Sequence, residues 1–247
     1  MSFRLRSACW PRPFGQACLP VAKDFLRFQE RTFDTLLRLV NNEFGSITLA
    51  CVPTAATHLI PEVLPQFIDI YPGVDLRLLD DNSRSIERMV LAEEADFGIC
   101  SHFVEDGRLT ADLIMEDEYG LVVNATHPLA RRRSLRWNEV MTLPLLGSAA
   151  HQQLAYYADA PSLPTPHVFI SNMISLLSLL ERGMGAAVLA RLAIPPHYEG
   201  QLRFVPIVAP RIQRKLVLLK LAKRSLSVPA RHLVDLIRAR ANSLRSK

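Results

Sequence analysis

Between Gly15 and Asn42 apolar residues return at alternating steps of three and four, at Leu19, Ala22, Leu26, Phe33, Leu36 and Val40, with Gln29 as the one polar member of the stripe. A stripe of that period is the seam of a coiled coil. It predicts a long helix whose seam residues Leu19, Leu26, Phe33, Leu36 and Val40 meet a second copy of the chain. Pro20 is tolerable only in the first turn of that helix. Residues 1–14 show no periodicity and read as irregular, and the run from Asn41 to Gly45 stops the helix.

From Ser46 the pattern changes to short apolar runs alternating with amphipathic stretches. Ser46–Val52, Val74–Leu79 and Asp96–Cys100 read as strands. Between them, Thr54–Tyr71 reads as a helix made awkward by Pro61 and Pro65, and Ser83 caps a short helix with Ile86, Met89 and Val90 on one face. Further strands fall at Tyr119–Asn124, Leu145–Gly147, His167–Ile170, Ala186–Leu189, Leu202–Val205 and Lys215–Leu221. Helices fall at about Ala149–Ala158 and Asn172–Arg182, and a last one opens at Ser227-Val228-Pro229 and carries Leu233, Leu236 and Ile237. Strands alternating with helices imply an α/β fold with a parallel sheet covered on both faces. Ligands of such sheets lie beyond the carboxyl ends of the strands.

The chain has 247 residues, 49% hydrophobic and 21% charged, a globular composition long enough for two small domains. No apolar run approaches the roughly 20 residues of a membrane span. The N-terminus is basic at Arg4, Arg6 and Arg12, but Pro11, Pro13, Gly15 and Pro20 interrupt any export-signal core, which points to a cytoplasmic chain. The four cysteines show no CxxC and no metal-ligand spacing, so neither a disulfide framework nor a metal is expected. The net charge of +5 hides an asymmetry: residues 45–130 carry fifteen acidic and four basic groups, whereas residues 211–247 carry eleven basic groups and one acid, Asp235. Either the basic C-terminal segment folds back beside the acidic first half, or both are separate solvated faces. The run Arg131-Arg132-Arg133 reads as a solvated loop. No nucleophile elbow, phosphate-binding glycine loop or metal-spaced cluster is present, so no catalytic residue and no cofactor are assigned and an enzyme is not expected.

Several segments together resemble a known family. Ile60-Pro61, Leu64-Pro65-Gln66-Phe67 and Tyr71-Pro72-Gly73-Val74, followed by Asp96-Phe97-Gly98-Ile99, are similar to the effector-domain opening of LysR-type transcriptional regulators. His127-Pro128-Leu129 resembles that family's turn into a second subdomain. The run from Glu181 to Leu189 resembles its glycine-pair helix end, and Leu226-Ser227-Val228-Pro229-Ala230 the start of its last helix. The order and spacing hold across residues 15–247; Ala190, where many members have proline, is a departure.

The resemblance implies two Rossmann-like subdomains of periplasmic-binding-protein type II architecture, preceded by a long linker helix and joined by two crossing strands around an inducer cleft. On that reading residues 1–14 are an irregular N-terminus, 15–44 the linker and dimerisation helix, and 45–247 the effector domain. Subdomain I takes about 45–121 and 211–247, and subdomain II about 122–210. The family's winged helix-turn-helix is expected to be missing, with only its trailing edge around Pro13-Phe14-Gly15, so DNA binding would need a head supplied by the full-length gene or a partner. The expected function is a sensor of a small, anionic effector that modulates transcription as a homo-oligomer. The rivals are a transporter's solute-binding protein, which shares the fold but should carry an export signal, and a truncated regulator acting only by heterodimerisation.

Candidate cleft residues are those at strand ends that open helices: Thr54 and Ala55, Ser101 and His102, Gly147 and Ser148, and Ser171 and Asn172, with His151 nearby. Free backbone N–H groups and short hydroxyls there favour a carboxylate or another anion. Thr54, Ser148 and Ser171 serve equally well as plain helix caps, and His102 as an ordinary loop histidine.

Overall fold

The structure, a computed structural model, describes residues 13–40, 45–101, 103, 107–198 and 200–245. Its contacts form two units, residues 1–46 with 73–75, and residues 47–72 with 76–247.

The first unit is built on helix α1 (Pro13–Val40). It begins two residues earlier than the periodicity indicates, and Pro20 lies inside the helix, past its first turn. A proline there forfeits one backbone hydrogen bond, which a helix of 28 residues survives. Leu19, Leu26 and Phe33 of the seam are exposed along it, as are Val21, Phe25 and Phe28. Leu36 and Val40 lie in the helix, and their side chains fall outside the described residues.

The second unit is a mixed α/β body. In chain order its elements begin β1 (Ser46–Cys51), α2 (Pro53–His58), α3 (Ile60–Ile70), β2 (Asp75–Asp80), α4 (Ser83–Leu91), β3 (Phe97–Cys100) and β4 (Leu109–Asn124). There follow β5 (Leu135–Arg136), α5 (Trp137–Val140), β6 (Leu146–Gly147), α6 (Ala149–Leu154), β7 (Val168–Phe169) and α7 (Met173–Glu181). The chain ends with β8 (Ala186–Ala190), β9 (Leu202–Val208), β10 (Gln213–Leu221) and α8 (Val228–Arg245).

The expected parallel sheet is only partly parallel. The strand order is β2-β1-β3-β10-β4-β9-β5, with β8 also on β4, and β6 pairs separately with β7. β1 and β3 run parallel, but β10 is antiparallel to β3 and to β4, and β8 and β9 are antiparallel to β4. Strand β4 is sixteen residues long, ten residues longer at its start than the run Tyr119–Asn124. Up to Glu118 it pairs with β10; from Tyr119 it pairs with β8 and β9. One strand therefore passes from one group of strands to the other, and the β9–β10 connection passes back.

Other boundaries also differ from the periodicity. The helix expected over Thr54–Tyr71 is two helices broken at Leu59, because Pro61 opens the second one at a position where it lacks only an unpaired N–H. The helix after Ser148 stops at Leu154 instead of about Ala158. Asn82, not Ser83, caps α4, its Oδ1 accepting from the N–H groups of Arg84 and Ser85 at 3.1 Å each. Gly183 ends α7 as expected, in a left-handed conformation (φ +71°) that lets its N–H reach the Leu180 carbonyl at 2.9 Å.

The core follows the two strand groups. Leu49, Phe97, Ile99, Leu216 and Leu218 are buried with Ile86 and Val90 of α4, Phe67 of α3 and Leu233 and Ile237 of α8. Around the other group, Tyr119, Leu121, Val123, Trp137, Val188 and Val205 form one cluster, and Val122, Leu176, Leu180 and Leu189 another. Gly120 sits where the strands pass closely, since a Cβ there would lie 2.7 Å from the Val205 carbonyl oxygen. The basic C-terminal segment does fold beside the acidic first half. Arg224 meets Asp96 at 3.1 Å, Arg238 meets Asp112 at 2.7 Å, Arg240 meets Glu62 at 3.5 Å and Arg214 meets Asp117 at 2.8 Å. Only the last pair is buried, so the others contribute little to stability.

Candidate ligand-binding site

The ends of β1 and β3 lie side by side, because Cys51 is opposite Ile99 and the Val52 N–H donates to the Ile99 carbonyl at 2.9 Å. This places Thr54 and Ser101 at one edge of the first strand group. The same logic joins the other pair: Gly147 is opposite Phe169, and the Ile170 N–H donates to the Gly147 carbonyl at 2.9 Å. Gly147 and Ser148 therefore adjoin Ser171 and Asn172.

Side chains bridge the two groups. Ser83 and Ser101 share a hydroxyl–hydroxyl bond of 3.1 Å. Gln153, on α6 of the second group, accepts from the Ser101 hydroxyl at 3.2 Å and from the Tyr119 hydroxyl at 3.4 Å, and donates to Ser83 Oγ at 3.3 Å. The region between the groups is thus polar where these residues meet. Beside it a cavity of about 390 Å³ opens between Ser101 and Phe103 on one side and Tyr156 and Tyr157 on the other, floored by Gln213, Lys215 and Val217.

A second polar cluster lies deeper. Thr54 Oγ1 accepts from Arg214 at 3.1 Å, and Arg214 also pairs with Asp117. Asp117 Oδ2 further accepts from the Leu192 N–H at 3.1 Å, and Oδ1 from the Glu118 N–H at 2.8 Å. Among the described residues, Arg214 Nε and Ser148 Oγ are buried without a hydrogen-bond partner. His58 Nε2 donates to the Ile194 carbonyl at 3.2 Å. Burial raises the Tyr119 and Tyr157 hydroxyls above the usual tyrosine range, and burial lowers His58 and His151 below 6.5. The Cys51 thiol is pushed up to about 12, first by burial and then by Asp80, and is a packing group.

The other candidates occupy varied surroundings. Ala55 is fully buried, and its methyl packs in the core. A Cβ on Gly147 would meet Pro166 Cβ at 2.9 Å, so its smallness serves packing. Ser148 precedes α6 and makes no side-chain cap bond. Ser171 is exposed, and Asn172 caps α7 by accepting from the Ile174 and Ser175 N–H groups at 2.9 and 3.2 Å. His102 lies outside the described residues.

The sequence reading missed Arg214, Asp117, Gln153 and Tyr119. Arg214 had a visible signal: it shares the inward phase of β10 with Ile212 and Leu216. A charge in that phase must be paired.

The histidine shifts fix a pH dependence. Both rings bind protons less readily in the folded chain than in the unfolded one, so stability is complete above 6.5 and is lost as pH falls through the lowered values. Urea midpoints should fall between about pH 7 and pH 5, and His58→Gln with His151→Gln should flatten that slope. An unchanged slope in the double variant would place the proton uptake elsewhere.

The architecture is a mixed α/β domain in which two groups of strands are joined by crossing segments. The comparisons with known proteins make this specific: residues 41–242 match the LysR substrate binding domain, and the chain belongs to that family. It is 26% identical over 231 residues to YbhD of Escherichia coli (strain K12), an uncharacterised HTH-type transcriptional regulator, covering 90% of this chain and 72% of that protein. It spans about half of two further regulators, 52% and 54% of their lengths. Among solved structures it resembles the CcmR regulatory domain of Synechocystis PCC6803 in complex with 2-PG, with a TM-score of 0.69, 22% identity, and coverage of 79% of this chain and 97% of that one. It also resembles the effector binding domain of QuiR in complex with shikimate, with a TM-score of 0.68, 16% identity, and coverage of 81% and 98%. The fold is therefore the periplasmic-binding-protein type II fold of LysR effector-binding domains. Among the described residues, no helix is long and apolar enough to cross a membrane and no three metal-ligating side chains gather.

Proposed function

We propose that this chain is the ligand-sensing module of a LysR-type regulator and binds a small organic anion between its two strand groups, without turning it over. The observation that carries this is the gap between Ser101 and Tyr157, open beside a hydroxyl and amide network that ties the groups together. The pairing switch in β4 supports reading 45–121 with 211–247 as one lobe and 122–210 as the other. A bound anion shifts the balance between lobe arrangements by binding one of them more tightly. Control of transcription follows when that shift is passed to a DNA-reading domain. The test is thermal unfolding with benzoate, shikimate and other organic acids. At least one should raise the melting temperature saturably, and Ser101→Ala with Thr54→Ala should weaken its binding by about 1–3 kcal/mol. A flat response across the panel would end this reading.

We further propose that the chain self-associates. The exposed seam of α1 is one surface for this. On the α/β body Ile68, Ile70, Leu78, Val168, Phe169 and Ile174 are exposed as well. Leu26→Asp with Phe33→Asp should lower the sedimentation coefficient toward that of a monomer; a value equal to the parent's would remove the helix from the assembly.

A further inference from the structure

Three hydroxyl groups and one amide close on each other where the strand groups meet. Asn82 caps α4, so the next residue, Ser83, is free to turn inward and is buried. Its Oγ accepts from the Ser101 N–H at 3.1 Å, which sets the two serines side by side at the start of α4 and the end of β3. Gln153 reaches both from α6, with Nε2 3.3 Å from Ser83 Oγ and Oε1 3.2 Å from Ser101 Oγ. A carboxamide donates only through its nitrogen and accepts only through its oxygen, and a hydroxyl has a single proton. Nε2–H therefore donates to Ser83, the Ser101 hydroxyl donates to Oε1, and Ser83 is left as the donor of the 3.1 Å bond between the serines. These bonds form a closed ring running from Gln153 to Ser83 to Ser101 and back to Gln153. The Tyr119 hydroxyl adds a second donor to Oε1 at 3.4 Å.

We propose that Gln153 is a built-in competitor of the ligand: its carboxamide oxygen holds the position of a ligand carboxylate and keeps the site latched until an anion displaces it. The inference rests on the anion-sensing reading above and adds how that site is regulated. While the ring is closed, the protons of Ser83, Ser101 and Tyr119 are engaged within the protein, and an incoming anion finds none of them. Once Gln153 swings out, the protons of Ser101 and Tyr119 serve an anion in its place, and Ser83 can turn its own the same way. The bonds suit a latch. Their lengths of 3.1, 3.2, 3.3 and 3.4 Å are long for hydroxyl and amide contacts, so each is weak, and the ring closes cooperatively. Gln153 is half-buried on the short helix α6, so its side chain leaves without unpacking the core. A second tie between the strand groups does not involve it: Arg214 pairs with Asp117 at 2.8 Å, and the pair holds Thr54 on one side and the Leu192 N–H on the other. Opening the latch thus frees donors for a ligand while the groups stay joined.

Calorimetric titration of the whole 247-residue chain with benzoate, shikimate, acetate and citrate tests this. Gln153→Ala, a change that a half-buried helix position tolerates, should bind the acid that the parent binds about tenfold more tightly, because the open form is no longer the minority. Binding by this variant of an acid that the parent does not take is the same result in stronger form. Gln153→Glu should weaken the same acid, since a side-chain carboxylate holds the hydroxyl protons more firmly and repels the ligand. Ser101→Ala should cost more affinity in the Gln153→Ala background than in the parent, where it also breaks the ring. A side chain that only supports the fold, or that touches the ligand directly, gives no such opposite signs. Equal or weaker binding by Gln153→Ala overturns the latch, and if Ser101→Ala still weakens the acid, the anion-sensing reading stands. If none of the four acids binds the parent or Gln153→Ala, both fall.

Discussion

Replacing Asp117 with alanine should cost about 3–5 kcal/mol of unfolding free energy, the largest loss expected from any single polar side chain of the domain. The Asp117 and Arg214 side chains are 3% and 8% exposed, and the carboxylate takes the Arg214 Nη2 donor together with the backbone N–H groups of Leu192 and Glu118. Without it, a buried guanidinium keeps, among the described residues, only Thr54 as a partner, with Nε already unpartnered. A charge stripped of its partner in the interior costs far more than the pair contributed. The double variant Asp117→Leu with Arg214→Met should therefore recover most of the loss, since it removes both desolvated charges together. Urea denaturation of the parent, both single variants and the double variant measures this cycle. A loss below about 1 kcal/mol for Asp117→Ala would mean that the pair is hydrated in solution.

Trp137→Ala is the second large effect, at about 3–5 kcal/mol. Trp137 opens α5 and is 4% exposed in the cluster with Tyr119, Leu121 and Val205. Its Nε1–H donates to the Pro210 carbonyl at 2.9 Å, in the connection through which the chain returns from β9 to β10. The same side chain thus fills the core of one strand group and holds the segment that leads back to the other. Trp137→Phe keeps most of the packing and should cost only about 1 kcal/mol more than ordinary repacking, because Pro210 is exposed and its carbonyl regains water. Equal losses for the alanine and phenylalanine variants would show that the hydrogen bond, and not the packed ring, matters most.

The parts of the fold that could be read along the chain were those whose burial is regular. The run of Ser46–Cys51 was legible as a continuous apolar stretch, buried on both faces toward its end, and Ile86 and Val90 mark the one side of α4 that meets the core. Charge was legible too: the excess of acids before residue 130 and of bases after 210 corresponds to real pairs at Asp96, Asp112 and Glu62. The first ten residues of β4 were not legible. Thr110, Asp112 and Glu116 interrupt its apolar positions, and an irregularity where Leu216 gives way to Val217 in its partner strand shifts the alternation. The caps were ambiguous in a different way. Asn82 and Ser83 are adjacent good cappers, and only the backbone decides which one turns outward to cap and which turns inward to Ser101. Of the candidate site, Ser101 and Thr54 followed from their place at strand ends. Gln153, Asp117 and Arg214 belong to no local motif and come together only when distant elements pack.

On the function proposed above, the ligand is held by both strand groups at once. Hydrogen–deuterium exchange of the whole chain, with and without a carboxylate that raises its melting temperature, tests this most directly. Added protection is expected on both sides of the gap, in the segments around Thr54 and Ser101 and in the segment from Ser148 to Tyr157. Protection confined to one of these sides, with the other exchanging as it does in the free chain, would contradict it.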